Sequence, residues 1–444
     1  MSNALLAAAL LGCASQAPEV VQARADDVVA SVIRVSWETE EALEGWVEYG
    51  TTEAYGEVTP VQPAATEQEV AILGLPADTR VHYRVVVRNG ERVDRSEDFT
   101  VLTEPIPSEL PPFEVEGTLP AESPGYTLFS WWSVVTGDSA VAIADAQGRI
   151  VWAWVPDQGL AQAARLSPTG DGVYVLCAEI GQDPDAYIAY LPLAGGELTT
   201  FSTPYAHHDF QVMGDGTLAW LAHEERDIDG ARMLGDRLLE RAPDGTETEV
   251  WNAFDDDWPM VENGGWAQDP IDWTHANGMT YIPELDAWAV SLYYDYTVIA
   301  LARATGDVLW QFGGPESDFT TGEDSLPFGP QHAPYWRDGN LALFDNRYDA
   351  SSSRLVEYHL DLSAWTAVRT WEYVPAEPMS VRLMGAMQRL PSGVASAWGE
   401  LEEIRDTDNA GALQRRLYTD ALGLVGRVDR FSTLYPPDAP YPPQ

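Results

Sequence analysis

The sequence predicts an all-β protein, a six-bladed β-propeller preceded by a small β-sandwich. Three observations predict it. From about Phe113 onward no stretch carries helical periodicity. One hairpin recurs six times, an apolar strand, a tight turn and a second strand that often ends in Trp, around Gly148, Gly195, Gly245, Gly306, Ser363 and Gly423. Recurrence at roughly 50 to 60 residues, with about four strands per unit, is the pattern of a propeller. The third observation is that His208, His275 and His332 each open one of three adjacent units.

Taken in order, residues 1–25 read as an export segment and tether. Small apolar residues run from Ala4 to Leu11 and end in Leu10-Leu11-Gly12-Cys13. This resembles the lipobox of bacterial lipoproteins and implies an exported protein, periplasmic or at the cell surface, lipid-anchored at Cys13. Residues 26–104 alternate apolar and polar in short runs, as in Val32 to Trp37 and His82 to Val87, with turns between them. The order VSWETEE, GWVEYGTT, LGLPADTRVHYRVVV, SEDFTVLTEP resembles a fibronectin type III domain. Residues 105–112 (PIPSELPP) form a proline-rich linker, residues 113–435 the propeller, and residues 436–444 a proline-rich tail. Cys177, inside GVYVLCA, reads as a buried apolar side chain. No other run is long and apolar enough for a membrane-spanning helix.

Composition removes several function classes. The formal net charge is −45, which repels nucleic acid and anionic membrane surfaces. All 25 basic residues are arginine, so a P-loop lysine, a Schiff base and pyridoxal phosphate attachment are all impossible.

Offset becomes position if the unit is a propeller blade, because the first strand of each blade lines the central channel. His208, His275 and His332 precede their late turns by 37, 31 and 31 residues. Equal placement in three adjacent blades puts three imidazoles around one mouth of the channel. Three readings fit such a trio: polar residues satisfied at strand ends, a zinc or copper site, or a histidine nucleophile with electrophilic partners. His223 and His359, off the repeated position, read as ordinary strand-end residues, as does His82 in the N-terminal module.

The segments HHDFQVMGDGTLAWL, DWTHANGMTY, FGPQHAPYW…GNLALFDN and MGAMQRLPSG resemble the bacterial arylsulfotransferases that work without a nucleotide sulfate donor. The resemblance runs from about Tyr205 to Gly393. It implies a six-bladed propeller that moves a sulfuryl group from an aryl sulfate ester to a phenolic acceptor through a sulfohistidine, with no cofactor and no metal. His332 would be the nucleophile, with His275 and His208 as its catalytic partners. Asn277 would orient His275. Tyr293 stands where the family carries an arginine, and a phenol does not replace a planar guanidinium on sulfate oxygens. Arg382 is the candidate to supply that charge, and Tyr293 the candidate to hold a phenolic substrate. The departure at Tyr293 keeps a second reading open, a non-catalytic propeller that binds a partner at its channel mouth. A metal-dependent enzyme is a third.

Overall fold

The computed structural model describes residues 17–120, 122–255, 269–322, 326–347 and 352–442. Six sheets of four or five strands stand around a central axis as blades. Blade 2 runs from the channel outward through Leu160–Leu166, Gly172–Ala178, Tyr187–Pro192 and Thr199–Ser202. Blade 3 follows with Ala206–Val212, Leu218–Ile228, Ala231–Arg241 and Glu247–Asn252. The innermost strands of blades 4, 5 and 6 are Ala276–Ile282, Gln331–Arg337 and Ala386–Leu390.

Both faces of a blade are buried, so its strands read as apolar runs rather than as alternation with polar residues. In blade 3, Leu218, Trp220 and Ala222 pack toward blade 2, whereas Ala219 and Leu221 pack toward blade 4. This period of two is the pleat of a strand, and it repeats between blades 4 and 5 and between blades 5 and 6. Small side chains such as Ala161, Ala163, Ala206 and Ala276 take the inner strands, each fully buried, where the ring is most crowded.

The ring is closed by both ends of the propeller sequence. Leu424–Phe431 forms the innermost strand of blade 1, beside Tyr126–Trp132, while Glu114–Gly117 adds a fifth, outer strand to blade 6. This corrects one expectation. The turn at Gly423 is not a sixth late hairpin but the passage from the fourth strand of blade 6, Leu413–Tyr418, to the inner strand of blade 1. Closure needs a strand from the far end of the chain, and it borrows the one that spacing alone assigns to a hairpin. The sixth late turn is at Gly411, which donates its N–H to the Asp408 carbonyl. A polar clamp marks the closure. Asp209 on blade 3 accepts hydrogen bonds from Arg427 on the closing strand at 2.7 Å, from Arg165 on blade 2 at 2.9 Å and from the Met279 N–H on blade 4 at 2.9 Å. Burial pulls the Arg427 guanidinium down to about 10, so it stays charged.

The N-terminal module is also all-β. Its seven strands join in one sheet curled around the 18-residue strand Ile33–Gly50, which pairs with Gln62–Ile72 along one half and with Arg80–Asn89 along the other. Glu19–Ala25, expected to be tether, is the first strand of this sheet and pairs with Ile33–Glu38. Val21, Ala23 and Ala25 alternate onto its core, a period-two signal too weak in alanine to be read from sequence. Val29, Val32, Ala71 and Leu73 share a core with blades 1 and 2, and the Tyr435 hydroxyl donates to the Ala71 carbonyl at 3.0 Å. The module therefore rests against the side of the ring. Leu110 buries the linker between blades 1 and 6, and burial pushes the Cys177 thiol up to about 12, so it is inert. No helix among the described residues is long and apolar enough to cross a membrane. Cys13 lies outside the described residues.

Candidate active site at the channel mouth

Three inner strands begin with the same irregularity. The pairing slips between Ala206 and Phe210 in blade 3, between Ala276 and Gly278 in blade 4, and between His332 and Tyr335 in blade 5. At these bulges His208, His275 and Ala333 hold φ of 57°, 49° and 47°. A non-glycine residue seldom adopts that region, and bulges of this kind re-aim side chains at functional sites. They bring the expected residues together. The rings of His208 and His275 are 4.9 Å apart, those of His275 and Tyr293 5.4 Å, and those of Tyr293 and His332 5.2 Å.

His332 is only 5% exposed. Its Nδ1 lies 2.8 Å from Asn346 Oδ1. The Asn346 amide cannot be turned around, because its Nδ2 donates to the Val381 carbonyl and to the Met384 carbonyl, each at 3.0 Å. Oδ1 is then the acceptor and His332 Nδ1 the donor. Nε2 is left with its lone pair. Burial pushes the pKa of His332 down to about 3, against the Asn346 bond, so the ring is neutral throughout the working range. The neighbouring residues fix the strand. Gln331 donates to Ser291 Oγ and to the carbonyls of Leu292 and Thr297. Asp345 accepts from Arg354 at 2.7 Å and from the Gly329 N–H.

His275 is the opposite case. Burial alone would favour the neutral ring, but Asp272 Oδ2 lies 2.5 Å from its Nδ1 and outweighs that effect, so the pKa is raised above the ordinary value. The site thus pairs an imidazole held neutral with one whose protonated form is favoured, the division of labour that a nucleophile and a general acid require. His208 is held well below its ordinary pKa by burial and by the charge of His275. Its N–H donates to Gln162 Oε1 at 2.9 Å.

The remaining expected residues take other places. Asn277 does not touch His275; it donates to the Gln331 carbonyl at 2.7 Å and so ties blade 4 to the strand of His332. The Tyr293 hydroxyl donates to the Arg382 carbonyl at 3.2 Å. The Arg382 residue is exposed and meets this cluster through its backbone. Sequence reasoning missed Asn346, Asp272 and Asp236. It also misread His223, which is buried and packs its ring on His207 at 3.6 Å. Asp272 could have been found, since Asp-x-x-His across a turn is a local spacing. A cavity of about 980 Å³ is walled by Asp157, Glu179, Asp183 and Asp185 and by none of the three histidines. Its acidic wall is unsuited to an anion.

Fold and site together define the class: a β-propeller with a histidine-lined channel mouth. The arylsulfotransferase (ASST) family profile matches residues 120–377, and the chain belongs to that family. No curated protein matches the sequence. Among solved structures, the chain is similar to a candidate 6-phosphogluconolactonase from Bacteroides fragilis NCTC 9343, with 12% identity and a TM-score of 0.41 over 70% of this chain and 99% of that one. It is also similar to the β-propeller domain of Cps50 (Swd1) from Myceliophteria thermophila, with 12% identity and a TM-score of 0.38 over 71% and 92% of the two chains.

Proposed function

We propose that the chain transfers a sulfuryl group from an aryl sulfate ester to a phenol, through Nε2 of His332. The observation that carries this reading is the Asn346 amide, whose two bonds to Val381 and Met384 leave His332 Nε2 as a free lone pair. Nε2 attacks sulfur, the S–O bond to the aryl group breaks, and the electron pair leaves with the phenolic oxygen. The His275 imidazolium protonates that oxygen. In the second half the acceptor phenol gives its proton to neutral His275 and attacks sulfur, the N–S bond breaks, and His332 recovers its lone pair. Group transfer thus becomes two easier steps.

The test is 4-nitrophenyl sulfate with and without added phenol. Nitrophenolate release that rises with phenol supports transfer. Release indifferent to phenol makes the protein a sulfatase-like hydrolase. Silence across several aryl sulfates favours the non-catalytic binding protein.

The raised pKa of His275 gives a pH dependence. The ring is cationic below its folded pKa and loses its proton as pH rises through it. The first half-reaction, read as the nitrophenol burst, is therefore expected to fall on the alkaline side. Asp272→Asn removes the carboxylate that raises this pKa, so the alkaline limb moves to lower pH. An unmoved limb in that variant would exclude His275 as the acid.

We also propose that the protein works outside the cytoplasm, lipid-anchored at Cys13. Cys13→Ser is then expected to shift it from the membrane fraction to the soluble fraction, and unchanged fractionation would count against the anchor.

A further inference from the structure

Behind His208 lie three buried side chains of blade 3 that the transfer reading does not use: His207, His223 and Asp236. Asp236 Oδ1 is 3.0 Å from His207 Nε2 and 3.4 Å from His223 Nδ1. Yet none of these three atoms makes a hydrogen bond. They stand side by side without being aimed at one another. Buried polar atoms left in that state are costly, unless something else occupies the point they surround.

We propose that His207 Nε2, His223 Nδ1 and Asp236 Oδ1 bind one divalent first-row metal ion of the zinc type. All three atoms lie within 4.8 Å of one another. Tetrahedral zinc, with bonds of about 2.0–2.1 Å, sets its ligand atoms about 3.3 Å apart, and the two measured edges bracket that value. Two imidazoles and one carboxylate are a donor set that such ions take, with a position left open for water. The outer atoms of two of the ligands are already tied, as a metal site requires. Asp236 Oδ2 accepts from Thr274 Oγ1 at 2.5 Å and from the Ala276 N–H at 2.6 Å, which leaves Oδ1 as the ligand atom. His207 Nδ1 lies 2.8 Å from His208 Nδ1. The rings of His207 and His223 are parallel within 5°, so at least one must turn about its Cβ–Cγ bond for both lone pairs to meet the ion, and His223, with no tie at its outer nitrogen on which the site depends, is the one that turns.

The site has a consequence for the channel, and this consequence, unlike the metal site itself, rests on the transfer reading. A metal on His207 Nε2 keeps the proton of that ring on Nδ1, which then donates to His208 Nδ1. The proton of His208 must then sit on Nε2. Without the metal, His207 would turn Nε2–H toward Asp236 and accept from His208 at Nδ1, and His208 Nε2 would carry a lone pair instead. The ion therefore converts His208 Nε2 from an acceptor, which repels sulfuryl oxygens, into a donor that can bind them. It also sets positive charge one imidazole away from a channel in which Tyr293 stands in place of an arginine.

The test uses the untagged full chain, stripped with a chelator and titrated with zinc alone. About one zinc per chain is expected to be retained after gel filtration, with a rise in melting temperature, and cobalt in its place should give visible d–d absorption. Asp236→Asn and His223→Gln should each weaken zinc binding by at least ~100-fold. If a variant fails to fold, the wild-type titration still decides. Wild type that retains no zinc and does not shift its melting temperature overturns the site, and so do two folded variants that bind zinc like wild type. A chain that transfers sulfuryl groups but ignores zinc overturns the metal site alone. One that binds zinc at this site but turns over no aryl sulfate overturns the transfer reading alone.

Discussion

His332→Ala is expected to lower aryl sulfate turnover by at least about 10⁴-fold, because it removes the atom that receives the sulfuryl group in the proposed transfer. Losses of this size follow when a nucleophile is deleted and the rest of the site is left in place. The fold should tolerate the change. The ring packs at the channel mouth, and the strand that carries it is pinned independently by Gln331 and by Asp345. Denaturation midpoints measured beside the rates separate the two effects. A variant that keeps its stability and loses its rate supports nucleophilic catalysis. One that keeps more than a few per cent of its rate excludes it. Trapping with an aryl sulfate donor in the absence of acceptor should label wild type on a histidine and leave the variant unlabelled.

The second large effect is expected at Asn346. Asn346→Leu keeps the volume but withdraws the acceptor from His332 Nδ1, and nothing then holds the proton there. The ring is free to place it on Nε2, where it abolishes the nucleophile. Loss of a group that fixes a catalytic tautomer costs about 10⁴ in kcat in the best-measured case, and a fall of about 10²–10⁴ is expected here. The Met384 carbonyl loses its donor as well, at about 1–3 kcal/mol for a group left unsatisfied, whereas the Val381 carbonyl keeps the Ser353 hydroxyl at 3.2 Å, so stability should drop modestly too. Rate and stability are separated by nitrogen-15 shifts of the His332 ring. In wild type these should report a protonated Nδ1 and a bare Nε2. A bare Nε2 in Asn346→Leu, with full activity, would remove Asn346 from the mechanism.

The trio of histidines was legible because a propeller turns similar offsets into similar positions. His208, His275 and His332 each lie at the start of the inner strand in three successive blades, and the ring does the rest. Asn346 stood in a recognised motif, but its role depends on the carbonyls of Val381 and Met384, contributed by the segment leading into the next blade. Asp236 was hidden for a similar reason. It lies on the third strand of blade 3, and its partners come from His207 on the first strand, His223 on the second and Thr274 ahead of blade 4. Such contacts have no local spacing to betray them. Asn277 shows the reverse error: two residues from His275, it would share that face on a regular strand, but the bulge at Ala276–Gly278 and the positive φ of His275 break the alternation, and it turns to the neighbouring blade. The Gly423 turn was misassigned because spacing describes a row of repeats and cannot say where the row is cut to make a ring.

That cut sets an order of events during synthesis. The three histidines and Asn346 have all been made well before the ribosome reaches Arg427. Until then blade 1 lacks its inner strand, and the buried carboxylate of Asp209, already met by Arg165, lacks the second guanidinium, which meets it at 2.7 Å. Chains emerge and fold from the N-terminus, so the growing polypeptide carries a complete set of chemical groups in an open arc with part of its central clamp missing. The channel mouth acquires its final shape only when the last strand arrives. If the proposed transfer holds, reactivity is thereby deferred to the finished molecule, and a chain that ends before Arg427 is expected to stay silent although its three histidines are in place.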